Sequence, residues 1–232
     1  ETVSTDYDTS DILFFEPLTE ECALEVLRAV KPVGFVAQLG GQTSINLAPG
    51  LVKNGFQLLG SSLEAIDLAE DRGRFSRLCR DFDFRIPKSA MVATLNQAHA
   101  SAEEVGYPLI CRPSYVLGGR RMEVIENPDE LDSYFERNGS FFSEGKPCLM
   151  DQFLEGALEV DVDLVRGKDW VVIAGIVEHI EAAGVHSGDS MGVLPPQRLR
   201  NDTCERIEEM SIRLSHALGI IGHLNLQLVI KD

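Results

Sequence analysis

The chain has 232 residues, a formal net charge of −16 at pH 7, 44% hydrophobic residues and 25% charged residues. That balance is typical of a folded globular protein, and the length suits two lobes better than one sphere. Nucleic acid and anionic membranes attract clustered Lys and Arg, so the acidic balance argues against both as partners. No apolar run is long enough to span a membrane, and residues 1–6 do not resemble a signal peptide, which predicts a cytoplasmic location.

The chain does not begin with Met, which predicts that it starts inside a longer natural protein or at an engineered end. Its five cysteines form no C-x-x-C pair and leave an odd number, which disfavours a disulfide framework or a zinc knuckle and predicts reduced thiols. Because the net charge repels phosphates, any bound nucleotide needs local cations and a divalent metal ion.

The first seventy residues alternate short apolar runs with helical patterns, which predicts strand–helix units around a parallel sheet. Thr19 is the expected N-cap of a first helix that Lys31 ends, and a second helix is expected after Gly40. Either Ser61 or Ser62 caps a third helix. Strands are predicted at 12–15, 34–38 and 57–59.

A charged helical stretch at 72–82 follows, and we expect a lobe boundary near Glu70. The pattern beyond it predicts an α+β organisation. Helices are predicted at 95–105, 128–138 and 202–218. Strands are predicted at 89–94, 109–111, 122–125, 148–152, 158–165, 170–176 and 224–230.

The segment 112–120, RPSYVLGGR, follows the apolar strand at 109–111 and places two arginines around a glycine pair. The backbone N–H groups of Gly118 and Gly119 can approach a ligand closely, and guanidinium groups suit phosphate oxygens. This segment therefore predicts an anion-binding loop, with phosphate as the first candidate.

Acidic and aliphatic residues alternate from Glu159 to Leu164, so Glu159, Asp161 and Asp163 are expected on one face of a strand. That face is either a solvated outer surface or a site for a cation or for ribose hydroxyls. The pattern leaves both interpretations open.

The polar segment 184–190, GVHSGDS, which is preceded by residues 178–181, EHIE, is typical of a site loop. His186 is the stronger candidate because flanking glycines allow close approach to a ligand, whereas His179 is expected to be a surface histidine or one with a satisfied hydrogen bond. The absence of H-E-x-x-H disfavours a catalytic zinc centre.

Two further residues have alternative interpretations. Gln227 lies in an apolar strand, where an unpaired buried amide would cost about 1–3 kcal/mol, so either an edge position or a metal or phosphate contact is expected. Arg72 is either an ordinary helix-surface cation or part of an anion site. The sequence contains no Walker A motif and no G-x-S-x-G motif.

Taken together, these motifs resemble the large subunit of carbamoyl phosphate synthetase, over the whole chain. Residues 1–7 and 114–119 are similar to its second, C-terminal synthetase half, which phosphorylates carbamate. The segments that carry the resemblance are 1–8, 40–43, 69–72, 112–120, 159–163 and 184–190.

The resemblance implies an α/β and α+β fold in which a partial Rossmann-like pre-ATP-grasp domain at 1–70 precedes an ATP-grasp domain at 71–232. The first lobe of the latter is expected at about 71–150 and the second at about 151–232. In the family a strand with a Glu and an Asn completes the metal site just after the position of Asp232. We therefore expect a C-terminally truncated, inactive chain.

By the same resemblance, Arg72, Arg112 and His186 act in catalysis, and Gln227 binds Mg²⁺ or Mn²⁺. Gly118 and Gly119 lie over the ATP phosphates, and Glu159 reaches the ribose. The implied nucleotide-binding residues are Arg72, Arg112, Gly118, Gly119, Gln152, Leu154, Glu159, Gly184, Val185, His186, Ser187 and Gln227.

The implied reaction transfers the γ-phosphoryl group of ATP to carbamate, for arginine and pyrimidine biosynthesis. The implied cofactors are ATP and Mg²⁺ or Mn²⁺, with K⁺ as a further candidate ion. The implied partners are a glutaminase small subunit and the remaining large-subunit domains. The alternatives are another ATP-grasp ligase, such as a biotin carboxylase or an amino-acid ligase, and a non-catalytic nucleotide-binding module.

Overall fold

The computed structural model describes residues 10–113, 121–143, 145–183 and 190–231. The chain divides into two compact units. The first comprises the residues up to 75 together with 165–172 and 212–224. The second comprises 76–164, 173–211 and the residues from 225 onward.

In the described residues, four α-helices precede the first strand, and strands and helices are mixed after it. The helices are α1 (Glu20–Val30), α2 (Gly41–Lys53), α3 (Leu63–Glu70), α4 (Arg72–Asp81), α5 (Leu95–Val105), α6 (Pro128–Asn138) and α7 (Asn201–Leu218). The strands are β1 (Ser89–Val92), β2 (Leu109–Pro113), β3 (Glu123–Ile125), β4 (Cys148–Gln152), β5 (Leu158–Arg166), β6 (Val171–Ala182), β7 (Gly192–Val193) and β8 (Gly222–Ile230).

The first sheet has the strand order β1-β4-β2-β3, and its neighbouring strands are antiparallel. Alternate residues of its strands pack with α5 and α6 in one apolar core. Leu109, Met150, Leu131 and Tyr134 are all fully buried there. Burial of this much apolar surface is the main stabilising contribution available to this part of the chain.

The second sheet has the strand order β7-β6-β5-β8. In β5, Val160, Val162 and Leu164 are fully buried, whereas the acidic residues between them are half-buried. This confirms the predicted alternation of β5.

Helix caps confirm several predicted boundaries. The Thr19 hydroxyl accepts a hydrogen bond from the backbone N–H of Cys22, and Lys31 ends α1 in the left-handed conformation, with φ 51°. Ser62, not Ser61, is the N-cap of α3, and its hydroxyl accepts from the N–H of Ala65. The predicted helices at 95–105 and 128–138 are present with the same bounds.

The strand predictions for the first seventy residues are wrong in part. Residues 12–15 form no strand, and 34–38 and 57–59 provide only one parallel bridge, between Phe35 and Leu58. A strand needs a neighbour that completes its backbone hydrogen bonds, and within the described residues 12–15 have none. Phe15 is accordingly 81% exposed.

The strand predicted at 170–176 is longer than expected and includes residues 178–181. These residues continue β6, where His179 pairs with Gly192 and Glu178 with Val193 of β7. Both side chains are buried, although a buried strand usually carries apolar residues at such positions. Because these two residues are polar, the sequence pattern did not predict that the strand extends to them.

Candidate functional site

The half-buried face of β5 has specific partners on both neighbouring strands. Asp161 Oδ2 lies 2.9 Å from Nε2 of His179 in β6, and Asp163 Oδ1 accepts a hydrogen bond from Asn225 Nδ2 of β8 at 3.0 Å. The other Asp161 oxygen, Oδ1, is buried and has no hydrogen-bond partner within the described residues. The face is therefore not merely a solvated outer surface, because two of its three carboxylates are engaged.

His179 is 4% exposed, and its contact with Asp161 provides the hydrogen bond that a buried imidazole needs. This agrees with the prediction of a satisfied histidine. Glu159 lies on the same face of β5, two residues before Asp161, and is half-buried. The geometry thus leaves Glu159 accessible beside a fixed carboxylate–imidazole pair.

Gln227 is exposed in β8, which lies at the edge of the second sheet. The buried unpaired amide considered from the sequence does not exist, because solvent reaches this side chain. The edge position explains how a Gln is accommodated in an apolar strand. Asn225 is exposed on the same face of β8, while Leu226 between them is buried.

Glu178 is held by the chain segment that follows β7. Its carboxylate accepts the backbone N–H groups of Gln197 at 2.9 Å and Arg198 at 2.8 Å, and the Nε–H of Arg198. Burial alone would raise the pKa of Glu178, but the hydrogen bonds from Arg198 and Gln197 outweigh it and lower that pKa. Arg198 also donates to the backbone oxygen of His179, so this cluster braces β6 beside the Asp161–His179 pair.

A second carboxylate holds the chain just after the 184–189 segment. Glu181 Oε2 accepts the hydroxyl of Ser190 and the backbone N–H of Met191, both at 2.7 Å. The hydrogen bond from Ser190, followed by that from Met191, lowers the pKa of Glu181. These contacts therefore favour the ionised form of Glu181.

Arg112 and Gln152 lie on the paired strands β2 and β4. Arg112 Nη2 donates to Asp151 Oδ2 at 2.6 Å, and the Arg112 side chain is still 45% exposed. The backbone N–H of Gln152 donates a hydrogen bond to the backbone oxygen of Lys88 at 2.8 Å. The pair Arg112–Asp151 therefore presents an oriented guanidinium, while Gln152 lies farther along β4, opposite Leu109.

The remaining predicted site residues are placed as follows. Leu154 is half-buried just after β4, and Arg72 is exposed at the first residue of α4. Arg72 belongs to the first unit, whereas Arg112, Gln152, Leu154, Glu159 and Gln227 belong to the second. Gly118, Gly119, Gly184, Val185, His186 and Ser187 lie outside the described residues.

Sequence reasoning missed Asp151 and Arg198. Asp151 orients Arg112 from the adjacent strand, and Arg198 lies 20 residues from the glutamate it pairs with. Neither residue belongs to a motif or to a periodic pattern. Contacts of this kind depend on tertiary structure, so no local signal in the sequence could have found them.

Gln227 offers one hard oxygen ligand, which fits Mg²⁺ or Mn²⁺, since these ions keep several waters and bind nucleotide phosphates. No three His, Cys, Asp or Glu side chains of the described residues meet in a group that could hold a metal ion. The described residues therefore fit a metal ion only as a companion of a nucleotide. None of the described helices is both long and apolar enough to cross a bilayer.

Solved structures with this fold include ATP-dependent ligases. A biotin carboxylase from Campylobacter jejuni superimposes with a TM-score of 0.73 and 17% identity, covering 93% of this chain and 49% of that one. A D-alanine–D-alanine ligase from Bacillus anthracis, complexed with ATP, gives a TM-score of 0.65 at 17% identity, covering 92% of this chain and 69% of that one. The chain thus has the fold of the ATP-grasp ligases, as the resemblance implied.

Comparison with family models identifies the family to which this chain belongs. Residues 1–68 match the carbamoyl phosphate synthase preATP-grasp domain, and residues 71–232 match the ATP binding domain of the carbamoyl-phosphate synthase L chain. The chain belongs to the carbamoyl phosphate synthase large-chain family.

Curated relatives agree with this assignment. The chain is 49% identical over 232 residues to the large chain of carbamoyl phosphate synthase from Thermotoga neapolitana, and 48% identical over 233 residues to that from Neisseria meningitidis serogroup B. Each alignment covers 100% of this chain, but only 21% of the first relative and 22% of the second. The chain therefore spans about a fifth of the length of these relatives.

Proposed function

We propose that this chain binds ATP and contributes the nucleotide site of a carbamoyl phosphate synthase large chain that phosphorylates carbamate. The observation that carries the proposal is the ion pair between Arg112 of β2 and Asp151 of the adjacent β4, which holds an oriented, half-exposed guanidinium on the strand that neighbours Gln152. Guanidinium groups bind phosphate oxygens through directed hydrogen bonds, and an amide can recognise a base edge or a hydroxyl. The family membership of residues 71–232 supports ATP as the nucleotide.

Each proposed residue has a role that follows from its chemistry. Arg112 and Arg72 would contact phosphates, and Gly118 and Gly119 would lie over them. Gln152, Leu154 and Glu159 would line the adenosine pocket, with Glu159 accepting hydrogen bonds from the ribose hydroxyls. Gly184, Val185, His186 and Ser187 would complete the site near the reacting end.

The proposed reaction forms a bond between the γ-phosphorus of ATP and a carbamate oxygen while the bond to the ADP oxygen breaks. Charge accumulates on the transferring group, so positioned arginines stabilise the transition state electrostatically. A bound Mg²⁺ or Mn²⁺ would neutralise phosphate charge, and Gln227 would supply one of its oxygen ligands. This chemistry needs no protein nucleophile.

The finer assignments are proposals on the same basis. We assign the chain to the carbamate-phosphorylating half, with a pre-ATP-grasp domain at 1–70 and an ATP-grasp domain from 71, in a cytoplasmic enzyme of arginine and pyrimidine biosynthesis. The partners would be a glutaminase small subunit and the rest of the large chain. The similarity of residues 1–7 and 114–119 to that half supports the assignment.

The adenosine pocket is tested by calorimetric titration of the chain with ATP and with 2′,3′-dideoxy-ATP. We expect ATP to bind about tenfold more tightly, because hydrogen bonds to a charged carboxylate contribute about 1.5–3 kcal/mol. Glu159→Ala should remove the difference, whereas Glu155→Ala, at an exposed turn position, should retain it. Equal affinities for the two nucleotides in the unmodified chain would contradict the role of Glu159.

The acceptor is tested by titrating the Mg-ADP complex with carbamoyl phosphate and with acetyl phosphate, which has a methyl group in place of the amino group. Tighter binding of carbamoyl phosphate supports carbamate as the acceptor. Equal binding of both compounds would point instead to another acceptor. Nucleotide binding without binding of either would favour a non-catalytic nucleotide-binding module.

A further inference from the structure

The hydroxyl of Ser61 joins three segments of the first unit. Its oxygen accepts the backbone N–H of Ile221 at 3.0 Å and an Nε2–H of Gln38 at 3.1 Å, and it donates to the Ile221 oxygen at 3.0 Å. A hydroxyl has one donor and two acceptor sites, so Ser61 is saturated. The residue is 0% exposed.

Gln38 completes this junction. Its Oε1 accepts the backbone N–H of Ser61 at 3.1 Å, while Nε2 also lies 3.5 Å from the backbone oxygen of His223. Gly60 adopts a φ of +88°, and a Cβ there would lie 2.5 Å from Gln38 Oε1. Glycine at this position therefore leaves room for the amide of Gln38.

The partners of these hydrogen bonds, Ile221 and His223, lie at the start of β8. In the described part of the second sheet, β8 is at the edge and has β5 as its neighbour. An edge strand has backbone hydrogen bonds to a neighbouring strand on one side only, and a slip of one residue would move every side chain to the opposite face. Such a slip would bury Gln227 and expose Leu226.

We propose that Ser61 and Gln38 are positioning residues that set the register of β8 and so keep Asn225 and Gln227 on its exposed face. The hydrogen bond from Asn225 to Asp163 then maintains the same register farther along the strand. The consequence for nucleotide binding rests on the proposed function, in which Gln227 is a metal ligand. The effect on β8 itself follows from the hydrogen bonds alone.

The register is tested by hydrogen exchange, measured by mass spectrometry, in Ser61→Ala and Gln38→Leu. The matched control is Ser62→Ala, which removes the α3 cap from the neighbouring serine without touching β8. We expect exchange of the β8 peptide 222–230 to rise roughly tenfold relative to α5 in the first two variants, since buried hydrogen bonds are lost. The control should leave this ratio unchanged.

The result that would overturn the proposal is a β8 exchange ratio in both variants that equals the ratio in Ser62→Ala. Having two variants keeps the test informative if Ser61→Ala does not fold, because Gln38→Leu changes a residue that is only partly buried.

Nucleotide affinity gives the second measurement. Both variants should weaken binding of ATP with Mg²⁺ about tenfold, as expected when the support of a metal ligand is lost, and change binding of metal-free ATP less than about twofold. Equal weakening of both affinities would contradict positioning of Gln227. If the unmodified chain binds no ATP, the proposed function fails. Hydrogen exchange then still tests whether Ser61 and Gln38 set the register of β8.

Discussion

Two arginine–carboxylate pairs in the second unit differ in how many hydrogen bonds hold their side chains. Glu178 is 2% exposed and receives two backbone N–H groups as well as Arg198, which also donates to the backbone of His179. The Arg112 side chain is half-exposed and, among the described residues, makes one hydrogen bond, to Asp151. The two arginine side chains are comparably exposed, at 54% for Arg198 and 45% for Arg112. The first pair surrounds a buried carboxylate with three donors and serves the fold, whereas the second leaves more of the arginine's donors for a ligand.

The largest effect is expected from Glu178→Gln. The substitution removes the charge that Arg198 faces and places an N–H₂ group opposite existing donors, so we expect a loss of about 3 kcal/mol in the free energy of unfolding. Urea unfolding measures it. Arg137→Met removes an exposed ion pair with Glu123 and is the control, with an expected change below about 1 kcal/mol. Equal losses of unfolding free energy in the two variants would show that the Glu178–Arg198 pair stabilises the fold no more than an exposed ion pair does.

Arg112→Met should show the reverse behaviour. We expect ATP affinity to fall about tenfold, because a charge-assisted hydrogen bond to phosphate is lost, while the free energy of unfolding changes by less than about 1 kcal/mol. Calorimetry gives the affinity, and Arg137→Met again serves as the control. Unchanged affinity, or a stability loss as large as that of Glu178→Gln, would remove the distinction between the two pairs.

The contribution of Glu178 to stability should also depend on pH. Because hydrogen bonds lower the folded-state pKa of Glu178, its contribution to stability is complete above its unfolded pKa of about 4.3 and is lost as pH falls through the folded value. The stability difference between the unmodified chain and Glu178→Gln should therefore be constant from pH 7 to about 5 and shrink below about pH 4. Urea unfolding at each pH tests this. A difference that grows on acidification would contradict the assigned sign.

The smallest effect concerns two buried serines one turn apart in α7. The Ser211 hydroxyl has no hydrogen-bond partner among the described residues, while Ser215 donates to the Ile212 oxygen at 2.8 Å. Ser211→Ala should raise the free energy of unfolding by about 0.5–1 kcal/mol, and Ser215→Ala should lower it by a similar amount. Thermal unfolding of the two variants measures both changes. Changes of the same sign would show that hydrogen-bond satisfaction does not set stability here.

Helices with local signals could be predicted from the sequence. Thr94 and Asn127 cap α5 and α6 through the N–H groups three residues on, and the apolar period of each helix lies within a single segment. The alternation of Glu159, Asp161 and Asp163 was likewise sufficient to place them on one face.

Features that depend on distant partners could not be predicted. The apolar run at 12–15 was predicted as a strand, but a strand depends on a neighbour that sequence pattern does not reveal. The end of β6 was missed because Glu178 and His179 are buried through hydrogen bonds to residues far along the chain. The exposure of Gln227 follows from the edge position of β8, which is a property of the sheet order.

The central claim, that the half-exposed Arg112 region and the acidic face of β5 bind a nucleotide, is tested most directly by hydrogen exchange with and without Mg-ATP. We predict protection in peptides that span β2, β4 and β5, with no change in α1. Protection that is absent from these strands, or that is equally strong in α1, would contradict the claim.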